Sequence, residues 1–284
     1  MSKSYRSQLV GCFGNPVDEN PTGVMEEAAF REKGLDFRYL TVLVRKEDLG
    51  KAMDGVRAFN MRGVNLTIPH KVRVLQYLDD LSEAARITGA VNMVVNNDGK
   101  LWGENTDGKG FLISLQKEGI DVSGKSVVVL GAGGAARAIS VECALAGAER
   151  ITIINRNPQR GEELVSLINS KTKASAQFLP WVDGVDVPEK TDILANATSV
   201  GLFPNTDCKP DICYDTITDR MVVTDVIFND PNSLFLGEAK ARGAKTVNGL
   251  GMLVEQGALN FKLWTGVDAP VELMTEVLRK EFNL

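Results

Sequence analysis

Short apolar runs alternate along the chain with longer segments whose apolar positions recur at helical spacing. In the first third of the chain the apolar runs are SQLVGCFG, FRYLTVLV and GVNLTIP, and the segments between them are NPTGVMEEAAFREKG and KEDLGKAMDGVRAFN. Strands that alternate with helix-length segments are typical of βαβ units, which place their strands in parallel. The pattern therefore predicts an α/β fold with a mostly parallel sheet.

A second series of the same kind begins near residue 125. The apolar, β-branched run SVVVL at residues 126–130 is what a parallel strand covered on both faces requires. It is followed by GAGGAARAISVECALAGA, by ITIIN and by a helical segment near residues 160–169, which together make one complete right-handed crossover. Further strands are predicted at 193–196 and 221–226, and helices at 233–242, 250–264 and 271–282.

The length of 284 residues favours two domains over a single core. We predict an N-terminal α/β substrate domain at residues 1–104 and a Rossmann-type, doubly wound nucleotide domain at residues 105–237. The helices of residues 238–284 are expected to return and pack on the first domain.

Charge and composition narrow the class of protein. The net charge is −5 and the 32 basic residues are dispersed, so no nucleic-acid partner is expected. The four cysteines form no C-x-x-C pair, which indicates neither a metal site nor a disulfide framework. The N-terminus has no long apolar stretch and no later run reaches the roughly 20 residues of a membrane span, so we expect a cytoplasmic protein without a membrane partner. With His70 as the one histidine, proton transfer is expected from a lysine or a carboxylate.

The segment GAGGAA at residues 131–136 has the G-x-G-x-x-A form of a dinucleotide fingerprint and stands between a predicted strand and a predicted helix. Gly131 permits the tight turn, Gly133 lets a pyrophosphate approach the backbone, and Ala136 lets helix and strand pack closely. Gly134 and Ala135 begin the helix, whose N–H groups and positive end attract phosphate. A dinucleotide cofactor is predicted here.

The end of the next strand indicates which dinucleotide is bound. NAD enzymes place an acidic residue against the ribose 2′-hydroxyl at this point, whereas this chain has Asn155, Arg156 and Asn157, with Arg160 following. A guanidinium can bind a 2′-phosphate through charge-assisted hydrogen bonds. NADP is therefore the predicted cofactor; the alternative is that Arg156 is simply a solvated arginine after a strand.

Several motifs together resemble one family. The strings GVNLTIPHK, AVN, GENTDG, GAGGAA, NRN, NATSVG and GLGMLVEQGALNF occur in the order and approximate spacing seen in the shikimate dehydrogenase family, which includes the quinate/shikimate dehydrogenases. The resemblance covers nearly the whole chain. It implies an NADP-dependent oxidoreductase that reversibly reduces 3-dehydroshikimate to shikimate in aromatic amino-acid biosynthesis.

The resemblance also implies roles for individual residues. The catalytic pair would be Lys71, which exchanges the proton of the reacting hydroxyl, and Asp107, which orients it; a helix N-cap is the competing role for Asp107. The substrate hydroxyls would be bound by Thr67, Asn92 and Gln256. Thr198, Gly249 and Met252 would lie near the nicotinamide, although Met252 could equally be core packing.

The chain departs from the family pattern at two places. The serine-x-serine pair that holds the substrate carboxylate is replaced by Asn20 and Thr22, and the preceding Asp18 and Glu19 bring negative charge towards a site for an anion. Phe228 stands where tyrosine is usual.

These departures leave the substrate open among shikimate, quinate and another cyclic hydroxy acid. A non-catalytic NADP-binding regulatory module is the alternative of a different class. Monomer and homodimer are both compatible with the sequence.

Overall fold

The computed structural model describes residues 5–230 and 232–284 and divides the chain into two compact units. The first unit comprises the chain up to Thr106 together with Gln256–Leu284, and the second comprises Asp107–Glu255. Each unit contains a six-stranded sheet flanked by helices. The predicted α/β fold class is confirmed.

The first unit begins with alternating strands and helices, as predicted. Its elements are β1 (Gln8–Gly14), α1 (Thr22–Glu32), β2 (Phe37–Leu43), α2 (Leu49–Ala58), β3 (Gly63–Leu66), β4 (Asp80–Leu81), α3 (Glu83–Thr88), β5 (Met93–Asn97) and β6 (Lys100–Glu104). The strand order is β2-β1-β3-β5-β6-β4. Strand β1 runs parallel to both β2 and β3, whereas β5 is antiparallel to β3 and to β6.

The antiparallel pair β5 and β6 is a tight hairpin in which Asn97 pairs with Lys100. Its two turn residues, Asp98 and Gly99, have φ values of 52° and 88°. Such left-handed turn residues match the twist of the flanking strands, and Asp-Gly is among the pairs that favour them. This dipeptide therefore encodes the hairpin locally.

The second unit contains a purely parallel six-stranded sheet. Its elements are α4 (Asp107–Lys117), β7 (Ser126–Leu130), α5 (Gly134–Leu145), β8 (Arg150–Asn155), α6 (Pro158–Lys171), β9 (Ser175–Pro180), β10 (Val185–Asp186), β11 (Ile193–Asn196), β12 (Ile212–Cys213), β13 (Val222–Asp225), α7 (Leu234–Ala241) and β14 (Lys245–Val247). The order β14-β13-β11-β7-β8-β9 reverses direction between β7 and β11. Ligands of such sheets bind where the order reverses, beyond the carboxyl ends of the strands.

The last two helices are α8 (Gly249–Thr265) and α9 (Val271–Glu281). Within the first unit, α9 packs on α1, Phe261 stacks on Phe30, and the Trp264 indole donates to the Val94 carbonyl at 3.0 Å. The sequence placed the second domain boundary at residue 237, whereas the units of the structure change within α8, after Glu255. Amphipathic periodicity shows that a helix exists but not which domain each of its turns contacts.

Among residues 5–230 and 232–284, no helix has the length and apolar character that crossing a bilayer requires.

Candidate active site

The cofactor edge of the second unit lies where β11, β7 and β8 end side by side; we use this term for Gly131, Gly133, Asn155, Arg156 and Thr198. Gly131 has a φ of 108°, and a Cβ there would lie 3.1 Å from the Thr198 methyl carbon. Only glycine satisfies both conditions without strain. By contrast, no heavy atom lies within 4 Å of a Cβ built on Gly133. This space beside the N-terminal residue of α5 is what the approach of a pyrophosphate requires.

Helix α5 begins at Gly134, followed by Ala135, and Ala136 is completely buried against the sheet. A small side chain at Ala136 therefore brings the helix start close to the strand, as the fingerprint predicts.

The turn after β8 is shaped by its two asparagines and presents its arginines to solvent. The Asn155 amide donates to the Asn157 carbonyl at 2.9 Å, and the Asn157 side chain accepts the Arg160 backbone N–H at 3.0 Å, which caps α6. Arg156 and Arg160 are exposed. The asparagines thus hold the turn, and the two guanidinium groups are accessible to an anion such as a 2′-phosphate.

A polar cluster joins the ends of β11 and β13. Asn196 donates to Asp225 at 3.0 Å and accepts the Thr198 hydroxyl at 2.7 Å, and Asp225 also accepts from the Ser233 hydroxyl at 2.7 Å. Burial raises the pKa of Asp225 to about 6, against the effect of these hydrogen bonds. Asp225 was not predicted as a site residue, although a carboxylate at the end of a buried strand is a visible signal in the sequence.

The start of α8 closes tightly on the chain after β13. A Cβ on Gly249 would lie 2.5 Å from the Val226 carbonyl, so this position requires glycine. Met252 is buried, and Phe228 is partly exposed. Close packing therefore explains by itself why residue 249 is a glycine. The roles of Gly249 and Met252 near the nicotinamide stay predictions.

In the first unit, Lys71 and Thr67 follow β3 in a compact turn. The His70 backbone N–H donates to the Thr67 carbonyl at 2.8 Å, and the Lys71 carbonyl accepts from Val91 N–H at 2.8 Å, next to Asn92. The His70 ring is buried and bonds the Val44 carbonyl at 2.8 Å. The one histidine is thus structural, while Lys71 is partly exposed beside Asn92.

A chain of buried hydrogen bonds crosses the first unit from β2 to α8. The Tyr39 hydroxyl donates to Asn65 at 2.9 Å, and the Asn65 amide donates to the Asn92 carbonyl at 3.2 Å. The Asn92 side chain in turn accepts the Thr106 backbone N–H at 2.8 Å. This chain of hydrogen bonds contains Asn92 and reaches Gln256 through Thr106. Both Asn92 and Gln256 are residues that the resemblance assigns to substrate binding.

The far end of this network is on α8. The Thr106 hydroxyl donates to the Asn260 side-chain oxygen Oδ1 at 2.7 Å, and the Asn260 side-chain amide donates to Gln256 Oε1 at 3.0 Å. Asn260 is completely buried and was missed in the sequence analysis. Its signal was its position one helical turn after Gln256, since residues four apart share a helix face.

The positions of the substituted serine pair lie at the start of α1. Asn20 accepts the Thr22 backbone N–H at 3.0 Å, and its amide nitrogen lies 3.6 Å from the Cys12 sulfur. Burial raises the pKa of the Cys12 thiol to about 12, so this cysteine is unreactive despite the charge of Lys71. Asp18 and Glu19 are exposed to solvent, which weakens the repulsion expected from them.

Glu26 is a buried carboxyl of this region and was not predicted as a site residue from the sequence. It lies one turn after Thr22 on α1 and is completely buried, and neither carboxyl oxygen has a hydrogen-bond partner among the residues that the structure describes. Burial raises its pKa well above the ordinary value, because desolvation disfavours the charged form. We use the term α1 wall for Asn20, Thr22 and Tyr39 with Glu26 behind them.

Asp107 is the first residue of α4 in the second unit and is 7% exposed. The next residue, Gly108, sits so close to α5 that a Cβ would lie 2.4 Å from the Ala138 carbonyl oxygen. This packing fixes the start of the helix and with it the backbone of Asp107. The catalytic role of Asp107 stays a prediction.

Three family models match successive parts of the chain. They are the shikimate dehydrogenase substrate binding domain at residues 12–94, shikimate / quinate 5-dehydrogenase at 114–201, and the shikimate 5′-dehydrogenase C-terminal domain at 249–279.

Relatives extend the likeness to the whole chain. A shikimate dehydrogenase (NADP(+)) of Desulforamulus reducens is 44% identical over 97% of this chain and 96% of its own. A ligand-free 5-ketofructose reductase of Gluconobacter is 47% identical, with a TM-score of 0.91 over 98% of this chain and 100% of its own. A shikimate dehydrogenase in complex with NADP+ is 38% identical, with a TM-score of 0.92 over 97% of this chain and 96% of its own.

The parallel sheet, the glycine turn at its switch point and these likenesses define an NADP-dependent oxidoreductase with a Rossmann-type cofactor domain. The predictions of an enzyme and of NADP as its cofactor are confirmed. The chain belongs to the shikimate dehydrogenase family.

Proposed function

We propose that the chain transfers a hydride between NADP and a secondary alcohol of a small hydroxylated substrate, with shikimate and 3-dehydroshikimate as the first pair to consider. The observation that carries this proposal is the buried network from Tyr39 to Gln256, which brings together polar groups from β2, from β3, from the residues just before β5 and just after β6, and from α8. Such polar groups recognise hydroxyls, because a substrate without a matching hydroxyl leaves them unpaired.

Lys71 is the proposed proton carrier. Oxidation of an alcohol removes a hydride from carbon and a proton from oxygen, and the bound NADP+ supplies the hydride acceptor. A lysine amine placed at that oxygen accepts the proton during oxidation and returns it during reduction. Asp107 is proposed to orient the ammonium group, while Thr67, Asn92 and Gln256 hold the remaining hydroxyls.

The cofactor residues are proposed from the cofactor edge. The pyrophosphate would lie over Gly131, Gly133, Gly134 and Ala135, where the space around Gly133 leaves room. Arg156 and Arg160 would bind the 2′-phosphate, with Asn155 and Asn157 holding the turn.

A second candidate substrate is 5-ketofructose. It is favoured by the 47% identity to the Gluconobacter reductase over 98% of this chain, and by the loss of both serines that the family uses for a carboxylate. The chemistry of hydride and proton transfer is the same for both candidates.

The proposal is tested by following NADPH at about neutral pH with shikimate, quinate and 3-dehydroshikimate, and by repeating each assay with 5-ketofructose and with NAD(H). Turnover of one of them with NADP is expected. Tight NADP binding without turnover of any would instead support the non-catalytic module.

We further propose a reducing compartment, because the four cysteines are free thiols and two of them, Cys12 and Cys143, are buried. The choice between monomer and homodimer stays a prediction.

A further inference from the structure

Four polar side chains at the carboxyl end of the parallel sheet form the Asp225 cluster, the term we use for Asn196, Thr198, Asp225 and Ser233. Asn196 and Asp225 are the paired last residues of β11 and β13, and all four residues lie in the second unit. Asn196, Asp225 and Ser233 are each at most 2% exposed. Burying a carboxyl group opposes folding, so its presence here calls for an explanation.

Asp225 accepts three hydrogen bonds from three separate segments of the chain. Its Oδ1 accepts the Asn196 side-chain amide at 3.0 Å and the Ile227 backbone N–H at 3.1 Å. Its Oδ2 accepts the Ser233 hydroxyl at 2.7 Å, and Ser233 in turn caps α7 by accepting the Leu236 N–H at 3.4 Å. An ionised carboxyl group only accepts hydrogen bonds, so it satisfies all three donors at once.

Asp225 also fixes the direction in which the Asn196 amide faces. The Asn196 nitrogen donates to Asp225 and, at 3.3 Å, to the Val200 carbonyl, so the Asn196 oxygen faces Thr198. That oxygen accepts the Thr198 hydroxyl at 2.7 Å and the Thr198 backbone N–H at 3.2 Å. The Thr198 hydroxyl oxygen accepts the Val200 N–H at 3.1 Å. The turn at 197–200 is therefore wound around a side chain that Asp225 orients.

The same carboxylate stands behind two glycines of the predicted cofactor site. The Thr198 methyl carbon would lie 3.1 Å from a Cβ on Gly131, in the glycine turn after β7. The Gly249 N–H, at the start of α8, donates to the Ile227 carbonyl at 3.1 Å, and Ile227 itself donates to Asp225. Asp225 thus connects the glycine turn with the first residue of α8.

The topology of the sheet indicates which half of the cofactor lies over this cluster. A dinucleotide binds across the point where the strand order reverses, with one half on each side. The proposed pyrophosphate position is the glycine turn after β7, and Arg156 after β8 takes the adenosine side. The nicotinamide half is left with the ends of β11 and β13, the two strands that the Asp225 cluster joins.

We propose that Asp225 is a positioning residue for the nicotinamide half of NADP. As a carboxylate it holds the turn of Asn196 and Thr198 in the shape against which the nicotinamide half binds, and it acts through those two residues. It rests on the cofactor placement of the proposed function and adds a residue whose charge controls how that cofactor is held.

The charge of Asp225 has a cost in stability. Burial raises its pKa from 3.8 to about 6, although the three hydrogen bonds act in the opposite direction. Because the pKa in the folded protein lies above that of the unfolded chain, stability is lost as pH rises through about 6 and Asp225 ionises. The charge that orients the turn also weakens the fold. A positioning role therefore predicts opposite changes in cofactor affinity and in stability.

The first test removes the charge and keeps the shape of the side chain. Calorimetry with Asp225→Asn uses NADP+ and 2′-phospho-ADP-ribose, which is NADP+ without its nicotinamide, at about pH 8, where Asp225 is ionised in the parent. The Kd for NADP+ is expected to rise about fivefold, because hydrogen bonds to a charged acceptor are stronger than those to a neutral one. The Kd for 2′-phospho-ADP-ribose should change by less than about twofold.

Urea unfolding of the same variant separates positioning from a merely structural role. The midpoint at about pH 8 is expected to rise, because Asp225→Asn no longer buries a charge. Equal weakening of both ligands together with a lower midpoint would show that Asp225 only supports the fold, and would overturn the inference. Parent-like affinity for both ligands would overturn it as well.

Asp192→Asn is the matched control. Asp192 stands just before β11, at the other end of the same strand, where it accepts the Ser126 N–H at 2.8 Å. Its loss removes a hydrogen bond from the same sheet, so stability should fall slightly while both Kd values stay as in the parent. A selective loss of NADP+ affinity in this control would contradict a specific role for Asp225.

Thr198→Val tests the same inference from the other end of the cluster, whether or not Asp225→Asn folds. It removes the hydroxyl that Asn196 accepts, so the Kd for NADP+ should rise several-fold while that for 2′-phospho-ADP-ribose stays within about twofold. In the double variant with Asp225→Asn the combined loss should be smaller than the product of the two single losses, because both act through one turn. Fully multiplicative losses, or a Thr198→Val variant that binds both ligands like the parent, would contradict the inference.

A pH series supplies the remaining readout. Both ligands carry the same 2′-phosphate and pyrophosphate, so the ratio of their Kd values cancels the titration of those groups. In the parent the preference for NADP+ over 2′-phospho-ADP-ribose should fall as pH falls through about 6, whereas in Asp225→Asn it should be low and flat. A flat profile in the parent, or the parent's profile in Asp225→Asn, would overturn the inference.

The charged neighbours of Asp225 require a control of their own. Within the part of the chain that the structure describes, Asp230 after β13 and Tyr214 after β12 face Asp225, and Glu238 of α7 faces Tyr214. Burial raises the pKa of Tyr214, so its hydroxyl is neutral near pH 6. Asp230→Asn should keep the pH dependence and move its midpoint to lower pH, because it removes a like charge. Loss of the pH dependence in Asp230→Asn would assign the titration to Asp230 and contradict the role of Asp225.

Failure of this inference and failure of the proposed function are distinguishable because the two binding measurements need no substrate. If no substrate is turned over while NADP+ affinity depends selectively on Asp225, the proposed reaction is wrong and the positioning role stands. If a substrate is turned over and Asp225→Asn binds both ligands like the parent, the reaction stands and the positioning role is wrong.

Discussion

The cofactor edge of the second unit and the α1 wall of the first are both proposed binding surfaces, yet they are built on different principles. The cofactor edge uses backbone geometry: a left-handed glycine after β7, open space at the start of α5 and an exposed arginine after β8. The α1 wall uses side chains from β2, from α1 and from the residues just before α1, which meet only after folding.

This difference determines how each surface responds to change. A backbone surface tolerates substitution outside its few glycines, and loss of an arginine there removes one contact. In a buried side-chain network each member is a partner of another, so removing one leaves a second group unsatisfied. Variants in the two regions should therefore differ in which property they alter.

Replacing Lys71 should have the largest effect. Lys71→Ala is expected to lower kcat by about 10²–10⁴-fold with a smaller change in KM, because a proton carrier acts mainly in the transition state. Steady-state kinetics with either substrate class measures this, and Lys46→Ala, an exposed lysine of the same unit, is the control. Turnover by Lys71→Ala at the parent rate would exclude Lys71 from the mechanism.

Replacing Arg156 tests the cofactor edge. Arg156→Ala is expected to raise KM for NADP by about 10- to 100-fold and to leave KM for NAD nearly unchanged, since a charge-assisted hydrogen bond contributes about 1.5–3 kcal/mol. Unfolding by urea should show no loss of stability, because Arg156 is exposed. The exposed Arg220 before β13 provides the control variant. Equal rises for both cofactors would contradict the 2′-phosphate role.

Replacing Asn260 should show the contrasting behaviour of the side-chain network. Asn260→Ala removes the hydrogen bonds that Asn260 makes to Thr106 and to Gln256, so the free energy of unfolding should fall by about 1–3 kcal/mol. KM for the substrate should rise at the same time, while KM for NADP stays constant. The exposed Gln76→Ala should change stability by less than about 0.5 kcal/mol. A variant as stable as the parent would show that the network is not cooperative.

Replacing Glu26 should give an effect on stability that depends on pH. Its pKa in the folded protein is raised by burial, so the stability it contributes is present below the unfolded pKa and is lost as pH rises through the folded pKa. Glu26→Gln should therefore gain stability relative to the parent between pH 5 and 8, by at most about 1.4 kcal/mol per pH unit. Urea titrations at several pH values measure this difference, and Glu32→Gln should show none.

Most of the architecture could be predicted from the sequence because periodicity reports directly on strands and helices. The strands predicted at 126–130 and 193–196 have the same bounds as β7 and β11 of the structure. The glycine turn and the NADP preference could be predicted because each depends on residues that are neighbours in the chain. The short edge strands β9 and β14 were missed, since part-exposed segments lack a continuous apolar run.

The residues of the candidate site also fall into those that a local motif predicts and those that only tertiary packing brings together. Lys71, Asn92 and Gln256 belong to local motifs, so a sequence alone points to them. Tyr39 belongs to no such motif, and Asn260, although it lies within GLGMLVEQGALNF, was given no role from the sequence. The place of both residues in the network is created by the packing of α8 and β2 within the first unit.

The sequence by itself determined the fold class, the cofactor and the family, because each is encoded by residues close together in the chain. The tertiary structure alone decided that Asp18 and Glu19 face solvent, while Glu26, an inconspicuous position in a helix, is a buried carboxyl without a partner. Burial and hydrogen-bond satisfaction are properties of the folded surroundings, and no local pattern of side chains specifies them.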